Sequence, residues 1–125
     1  MDSLIVDATA TSPRVEFDKQ NNIFRIEGKS LPEDVKNFYL PLIQWLDKYL
    51  LQPNPRTHLY IDFEYFNTSS SKMILILLNK IREIQRKGHQ VQVTWSYPPH
   101  DAEIEEAGEE FAELLKIPFQ FIAKD

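Results

Sequence analysis

Residues 67–72 hold the densest concentration of side chains that could take part in chemistry: Asn67, Thr68, Ser69, Ser70, Ser71 and Lys72. The run follows an alternating, aromatic-rich segment and precedes an apolar pattern with helical spacing. The start of a helix presents unpaired N–H groups and a partial positive charge, so a phosphate there gains charge-assisted hydrogen bonds. One hydroxyl at this place is ordinarily a helix cap worth about 1 kcal/mol. Four consecutive hydroxyls exceed what one cap requires, and we therefore predict a phosphate-bearing site.

A second group of candidates is Asp62 and Glu64, which lie two residues apart on a predicted strand and so share a face. With the hydroxyl loop they define an alternative function, a small hydrolase or ligand-binding α/β domain. A polar sheet face explains the two carboxylates more simply. No Gly-x-Ser-x-Gly motif accompanies the serines, and the histidines lack metal-ligand spacing: His58, His89 and His100. We therefore predict no catalytic residue, no metal and no cofactor.

The composition narrows the possible partners. The chain has 125 residues, with 14 Lys+Arg against 19 Asp+Glu and a formal charge of −5, and we predict one domain over residues 1–125. This acidic balance argues against nucleic-acid binding, which depends on basic side chains that neutralise phosphates. The lack of cysteine excludes disulfides and thiolate-bound zinc. The apolar runs are too short for a membrane helix and the N-terminus lacks the features of a secretion signal, so we expect a cytoplasmic protein without a membrane partner.

The first part of the chain predicts two strands and a helix. Residues 1–13 mix Asp, Thr, Ser and Pro and predict an irregular N-terminal arm. Alternating runs on either side of Gln20-Asn21-Asn22 predict a β-hairpin over residues 15–27, since Asn tolerates a left-handed backbone. Ser30-Leu31-Pro32-Glu33 has the spacing of a capping box, which predicts a helix start there. Pro41 predicts a kink or a break within that helix.

The remaining chain alternates strands and helices. Residues 58–66 predict a strand whose apolar side carries four residues: Leu59, Ile61, Phe63 and Tyr65. A helix then runs from the hydroxyl cluster to Lys87, with Gly88 as its C-cap, and residues 89–95 predict the next strand. Asp101 is predicted to cap a helix whose acidic segment, residues 101–110, is either a solvated face or a docking surface for a basic partner. Phe119 and Phe121 indicate a final strand.

The order β-β-α-β-α-β-α-β predicts an α/β fold with a mixed, mainly parallel sheet of about five strands. In a sheet covered on both faces the strands are continuous apolar runs, whereas both later strands here alternate. We therefore expect a two-layer sandwich with the helices mainly on one face and the other face polar and open. The chain has neither a Gly-x-Gly-x-x-Gly nor a Walker motif, which argues against a nucleotide-binding fold.

Longer motifs lie between residues 28 and 97, within a resemblance that extends from about residue 13 to residue 121: Gly28-Lys29-Ser30-Leu31-Pro32-Glu33, Phe38-Tyr39-x-Pro41, Trp45-Leu46, Tyr65-Phe66-Asn67-Thr68-Ser69-Ser70-Ser71-Lys72 and Val93-x-Trp95-x-Tyr97. Together they make the sequence resemble the SiaC family of bacterial regulatory phosphoproteins. The Asn-Thr-Ser-Ser-x-Lys element after an aromatic-rich strand is the most specific of them, and the others support it.

The resemblance implies a partner-switching protein with an architecture similar to the STAS domains of anti-sigma-factor antagonists. It implies that Thr68 is phosphorylated by a cognate Ser/Thr kinase and restored by a PP2C-like phosphatase. The neighbouring residues of the cluster would then shape the phosphoacceptor loop: Asn67, Ser69, Ser70, Ser71 and Lys72. In the family the unmodified form binds a target, a diguanylate cyclase in the studied system, and so controls cyclic-di-GMP signalling and biofilm formation.

The position of Thr68 should discriminate among three functions. An enzyme requires a concave pocket in which polar groups converge, whereas a switch protein should present Thr68 on a convex, accessible loop. A purely structural interaction domain without phosphorylation would bury Thr68 as a helix cap.

Overall fold

In residues 1–124, which the computed structural model describes, six strands form one mixed sheet that is covered by three helices. The elements in chain order are β1 (Leu4–Val6), β2 (Arg14–Asp18), β3 (Ile23–Ser30), α1 (Val35–Tyr49), β4 (Arg56–Phe66), α2 (Thr68–Arg86), β5 (Gln90–Tyr97), α3 (Ala102–Leu115) and β6 (Phe119–Ala123). The strands lie side by side in sequence order. The pairs β1–β2 and β2–β3 are antiparallel, and the pairs from β3 to β6 are parallel. The predicted α/β class and mainly parallel sheet are confirmed.

The helices lie on one face of the sheet, as the alternation of the strands predicts. Apolar side chains of that face are fully buried with those of the helices, including Phe17, Phe24, Ile61, Phe63, Val93, Trp95, Leu42, Ile74, Leu77 and Leu78. The intervening strand residues are polar and more exposed, among them Arg25, Tyr60 and Gln92. This burial of alternate residues is what a two-layer sandwich requires. None of the helices in residues 1–124 is both long and apolar enough to cross a bilayer.

The N-terminal arm is more ordered than predicted, because Leu4–Val6 forms the edge strand β1. It pairs antiparallel with β2, with Leu4 opposite Phe17 and Val6 opposite Val15. Leu4 and Val6 also pack against the hydrophobic core. Without this strand the backbone groups of β2 would form an open sheet edge. The sheet therefore has six strands where about five were predicted.

The predicted capping box at Ser30 is wrong. Ser30 is the last residue of β3 and is completely buried. The helix α1 begins at Val35, where the side chain of Asp34 caps it by accepting a hydrogen bond from the backbone N–H of Asn37 at 3.1 Å. Pro41 lies inside α1 and does not divide it.

A bulge in β4 explains why Tyr65 is exposed although the alternation predicts it on the buried side. Gly28 pairs with Phe63 but the next residue of β3, Lys29, pairs with Tyr65, so Glu64 is an extra residue in β4. One extra residue reverses the faces of all residues that follow. Tyr65 is 50% exposed as a result, and Phe66 takes its place against the core.

The helix α3 is held against β5 by a close contact with Trp95. The indole of Trp95 is fully buried and donates a hydrogen bond to the backbone carbonyl of Ile104 at 2.9 Å. Gly108, one turn further along α3, lies directly on the ring. A Cβ atom at this position would lie 2.5 Å from the indole nitrogen. A glycine inside a helix is unfavourable by itself, so this position depends on packing against the sheet.

We expect Gly108→Ala to destabilise the protein by about 1–3 kcal/mol, although the same change in an open helix would stabilise it, because the new methyl group overlaps a buried ring. Urea unfolding followed by tryptophan fluorescence measures the difference. Glu109→Ala, at the exposed neighbouring position, is the control and should change stability by less than about 0.5 kcal/mol. A stabilised Gly108→Ala variant would contradict the tight contact.

Candidate functional site

The hydroxyl cluster lies at the junction of β4 and α2, where the chain leaves the carboxyl end of a central strand. Asn67 is the N-cap of α2, and its side-chain oxygen accepts a hydrogen bond from the backbone N–H of Ser70 at 2.9 Å. Thr68 is the first residue of the helix. Because an amide supplies the cap, Thr68 is not needed for that purpose.

Ser70 is the buried member of the cluster, and it joins α2 to β3 and α1. Its hydroxyl donates to the backbone carbonyl of Ser30 at 2.9 Å and accepts from the Ser30 hydroxyl at 3.0 Å. The Ser30 hydroxyl in turn lies 2.5 Å from the phenolic oxygen of Tyr39 in α1. Burial raises the pKa of Tyr39 to about 12, so its hydroxyl stays protonated at physiological pH. Ser30, Tyr39 and Ser70 form a closed hydrogen-bonded group, which we call the buried hydroxyl triad.

The hydroxyls on either side of Ser70 make local hydrogen bonds at the surface. Ser69 donates to the side-chain oxygen of Asn67 at 3.1 Å, and Ser71 donates to the backbone carbonyl of Thr68 at 2.7 Å. Thr68 is exposed, and within the part of the chain that the structure describes its hydroxyl makes no hydrogen bond. The four hydroxyls are thus physically different: one is buried and bonded, two are bonded locally, and Thr68 is open to solvent.

Thr68 lines a groove of about 290 Å³ between the start of α2 and α3, which we call the proximal groove. Its apolar lining comes from Phe66, Ile104 and Phe111, and three carboxylates also line it: Asp101, Glu103 and Glu110. Thr68 is accessible, as expected for a switch protein, but the expected convex loop is wrong because α3 forms a wall next to it. The structure also does not bury Thr68 as a cap, which the purely structural alternative requires.

The residues of the predicted hydrolase alternative do not meet at this site. Asp62 lies on the open face of the sheet, where it forms an ion pair with Lys124. Glu64 is exposed at the bulge of β4. The ionisable side chains that line the proximal groove are mainly carboxylates. Its lining residues include no histidine or lysine that could act as a base for a serine or threonine nucleophile. Among the described residues of the proximal groove, no general acid, base and nucleophile lie together.

The histidines are dispersed, as their spacing predicts. His58 lies on the open sheet face, where its Nε2 is 2.6 Å from the hydroxyl of Thr94 and its ring stacks on Tyr60. Partial burial lowers the pKa of His58. His89 and His100 lie at other places on the surface. Residues 1–124 contain no cluster of three or more His, Asp or Glu side chains arranged to hold a metal ion.

Comparison with known proteins adds a separate line of information. Residues 6–124 match the family described as SiaC family regulatory phosphoprotein. The chain belongs to the SiaC family. A protein of Pseudomonas aeruginosa strain UCBPP-PA14 is 28% identical over 125 residues, which cover all of this chain and 99% of that protein.

Solved SiaC structures from P. aeruginosa have the same fold. One superposes with a TM-score of 0.89 at 28% identity and covers 99% of this chain and 100% of its own. A second, of the diguanylate cyclase SiaD in complex with its activator SiaC, has a TM-score of 0.88 at 27% identity over 97% of this chain and 99% of that one. The family is regulatory, and the P. aeruginosa SiaC binds and activates a cyclase.

Sequence reasoning missed the residues that support the cluster. In the sequence Ser30 matches a helix-capping motif, and the apolar stripe of α1 does not indicate that the Tyr39 hydroxyl reaches Ser30. The pairing of Ser30 with Phe66 is a register between strands separated by a helix, which no local pattern reports. The carboxylates of the proximal groove belong to the acidic segment at residues 101–110, but nothing in the sequence places that segment next to Thr68.

Ser70→Ala should destabilise the protein by about 1–3 kcal/mol, because it leaves the buried Ser30 hydroxyl without its acceptor. Ser69→Ala removes an exposed hydroxyl from the same helix turn and should cost less than about 0.5 kcal/mol. Thermal or urea unfolding of both variants measures the contrast. Equal stability of the two variants would show that the buried hydroxyl triad does not anchor α2.

Proposed function

We propose that this chain is a non-enzymatic, partner-switching regulator that is reversibly phosphorylated on Thr68. The observation that carries the proposal is the contrast within the hydroxyl cluster. Thr68 is exposed and its hydroxyl makes no hydrogen bond within residues 1–124, whereas Ser69, Ser70 and Ser71 each donate one. A kinase needs an accessible hydroxyl that it can align with the γ-phosphate of ATP, and the exposed Thr68 hydroxyl meets this requirement without losing a hydrogen bond to any of the described residues.

A phosphate on Thr68 would experience two opposing electrostatic influences. The N-terminus of α2 favours an anion, and Lys72, which is exposed one turn further on, contributes a nearby positive charge. The carboxylates of the proximal groove oppose it: Asp101, Glu103 and Glu110. Phosphorylation adds about −1.5 to −2 charges at pH 7 to a chain whose formal charge is −5. The modification therefore changes the charge of one surface strongly while the core remains as it is.

The target that we propose is a diguanylate cyclase, which the unmodified form binds and activates. Support comes from the fold, which is that of a SiaC crystallised with the cyclase SiaD as its activator. A cognate Ser/Thr kinase and a PP2C-like phosphatase would set the phosphorylation state, with residues 1–125 acting as one regulatory domain. Such a switch would operate in the cytoplasm, where the nucleotides that kinase and cyclase consume are found, and would control biofilm formation through cyclic-di-GMP.

Treatment with the cognate kinase and ATP should label Thr68 before any of the three serines that follow it. Phosphopeptide mass spectrometry at short reaction times locates the group. Thr68→Ala should abolish the early labelling, and Ser69→Ala should leave it unchanged. Early phosphate on Ser69, Ser70 or Ser71 would refute the assignment.

Thr68→Asp should weaken binding to the target cyclase by about tenfold or more, equivalent to about 1.4 kcal/mol, because it places a negative charge where the unmodified form has none. Thr68→Ala should bind like the natural chain but should no longer respond to the kinase. Ser69→Asp adds the same charge one residue away and is the matched control, for which we expect a smaller loss. Isothermal titration calorimetry measures all four affinities, and equal binding by the Asp and Ala variants of Thr68 would contradict the switch.

A further inference from the structure

A second groove lies between α2 and α3, beyond the proximal groove in the direction of the C-terminal ends of both helices. It has a volume of about 360 Å³, and we call it the distal groove. Its lining comes from two adjacent stripes of α2 and from the last turn of α3: Leu75, Ile76, Asn79, Lys80, Arg82, Leu114 and Leu115. None of the residues that line the proximal groove lines this one.

Two large apolar side chains in the distal groove are exposed to solvent. Ile76 is 44% exposed and Leu114 is 61% exposed, although Leu115 beside them is buried. Single exposed apolar residues are common on protein surfaces. Here an isoleucine of α2 and a leucine of α3 line the same depression, which gives an apolar ligand contacts from both sides.

The charged residues of the distal groove are cations. Arg82 donates from Nη2 to the side-chain oxygen of Asn79 at 2.5 Å, and its Nε is buried without a hydrogen-bond partner in the described residues. Lys80 is paired with Asp47 of α1 at 2.8 Å. Among the described residues that line the groove there is no carboxylate. The buried Nε is closed to a ligand, but the guanidinium of Arg82 lines the groove and can donate charge-assisted hydrogen bonds to an incoming carboxylate.

We propose that the distal groove binds an acidic, amphipathic segment of the target protein. Apolar side chains of that segment pack on Ile76 and Leu114, and a carboxylate accepts hydrogen bonds from the Arg82 guanidinium. This proposal deepens the proposed function and rests on it, because the segment belongs to the cyclase that the unmodified chain binds.

The sign of the phosphate charge agrees with an acidic occupant. A basic segment would be attracted to the carboxylates of the proximal groove, and a phosphate on Thr68 would hold it more tightly. An acidic segment is instead repelled by that phosphate. Ile76 follows Thr68 by eight residues, or about 12 Å along the helix axis at 1.5 Å per residue, which exceeds the screening length of about 8 Å at physiological ionic strength. Salt therefore weakens the repulsion, and it acts only at the near end of the distal groove.

The test is the affinity of the unmodified chain for the target cyclase, measured by calorimetry with variants of the groove. Leu114→Ser and Arg82→Gln should each weaken binding by about tenfold, as expected for an apolar anchor and a desolvated charged contact. The matched controls are Leu51→Ser, at a leucine that is 82% exposed outside the groove, and Arg86→Gln, at an exposed arginine one turn further along α2. Both controls should bind within about twofold of the natural chain.

The outcomes separate this proposal from the function on which it rests. If the natural chain binds the cyclase and the Leu114 and Arg82 variants bind equally well, the distal groove is not the interface. Stronger binding by Arg82→Gln would show that the occupant is basic. Loss of a homodimer in Leu114→Ser, measured by analytical ultracentrifugation without cyclase, would assign the groove to a second copy of this chain and overturn the proposal. Failure of the natural chain itself to bind any cyclase would instead refute the proposed function, and this inference with it.

Discussion

The hydrogen bonds at the end of β3 determine the geometry of the hydroxyl cluster. The carbonyl oxygen of Ser30 accepts from the backbone N–H of Asn67 at 3.1 Å and from the hydroxyl of Ser70 at 2.9 Å. Ser30 at the end of β3 thereby holds Asn67, the N-cap of α2, and also Ser70 in the first turn of α2. The helix α2 follows β4, the strand next to β3. Tyr39 extends the same contacts to α1. Because these groups are buried, breaking one bond leaves a polar atom without water or a partner, which makes the arrangement rigid.

This anchoring distinguishes a buried, hydrogen-bonded hydroxyl from an exposed one within four residues. Ser70 faces inward and fixes the helix, while Thr68 faces solvent at a helix N-terminus that is favourable for phosphate. The turn holds Thr68 at one position, between the carboxyl end of β4 and the acidic residues at α3 that line the proximal groove. The helix α3 is itself fixed by Trp95, whose indole is in contact with Gly108 and hydrogen-bonded to Ile104. The Thr68 hydroxyl therefore lies outside the buried contacts that hold α2 and α3 against the sheet.

The sequence predicted what depends on local patterns. Alternation in the later strands gave the buried face, the open face and the two-layer architecture, and the hydroxyl cluster was placed correctly at the start of α2. What it missed depends on contacts between distant segments. The bulge at Glu64 arises from the register of β3 on β4 and moves Tyr65 to the surface. Ser30 matched a capping motif, but its buried position among Tyr39 and Ser70 is visible only when three elements are assembled. The edge strand at Leu4–Val6 likewise requires β2 as a partner.

Control of a cyclase by the phosphorylation state of Thr68 is the central claim. Its most direct test is the rate of cyclic-di-GMP synthesis by the target cyclase in the presence of three preparations of this chain: unmodified, phosphorylated by the cognate kinase, and phosphorylated and then treated with the PP2C-like phosphatase. We expect stimulation by the unmodified chain, loss of stimulation on phosphorylation, and recovery after the phosphatase. Equal stimulation by the phosphorylated and unmodified chains, with phosphate verified on Thr68, would contradict the account.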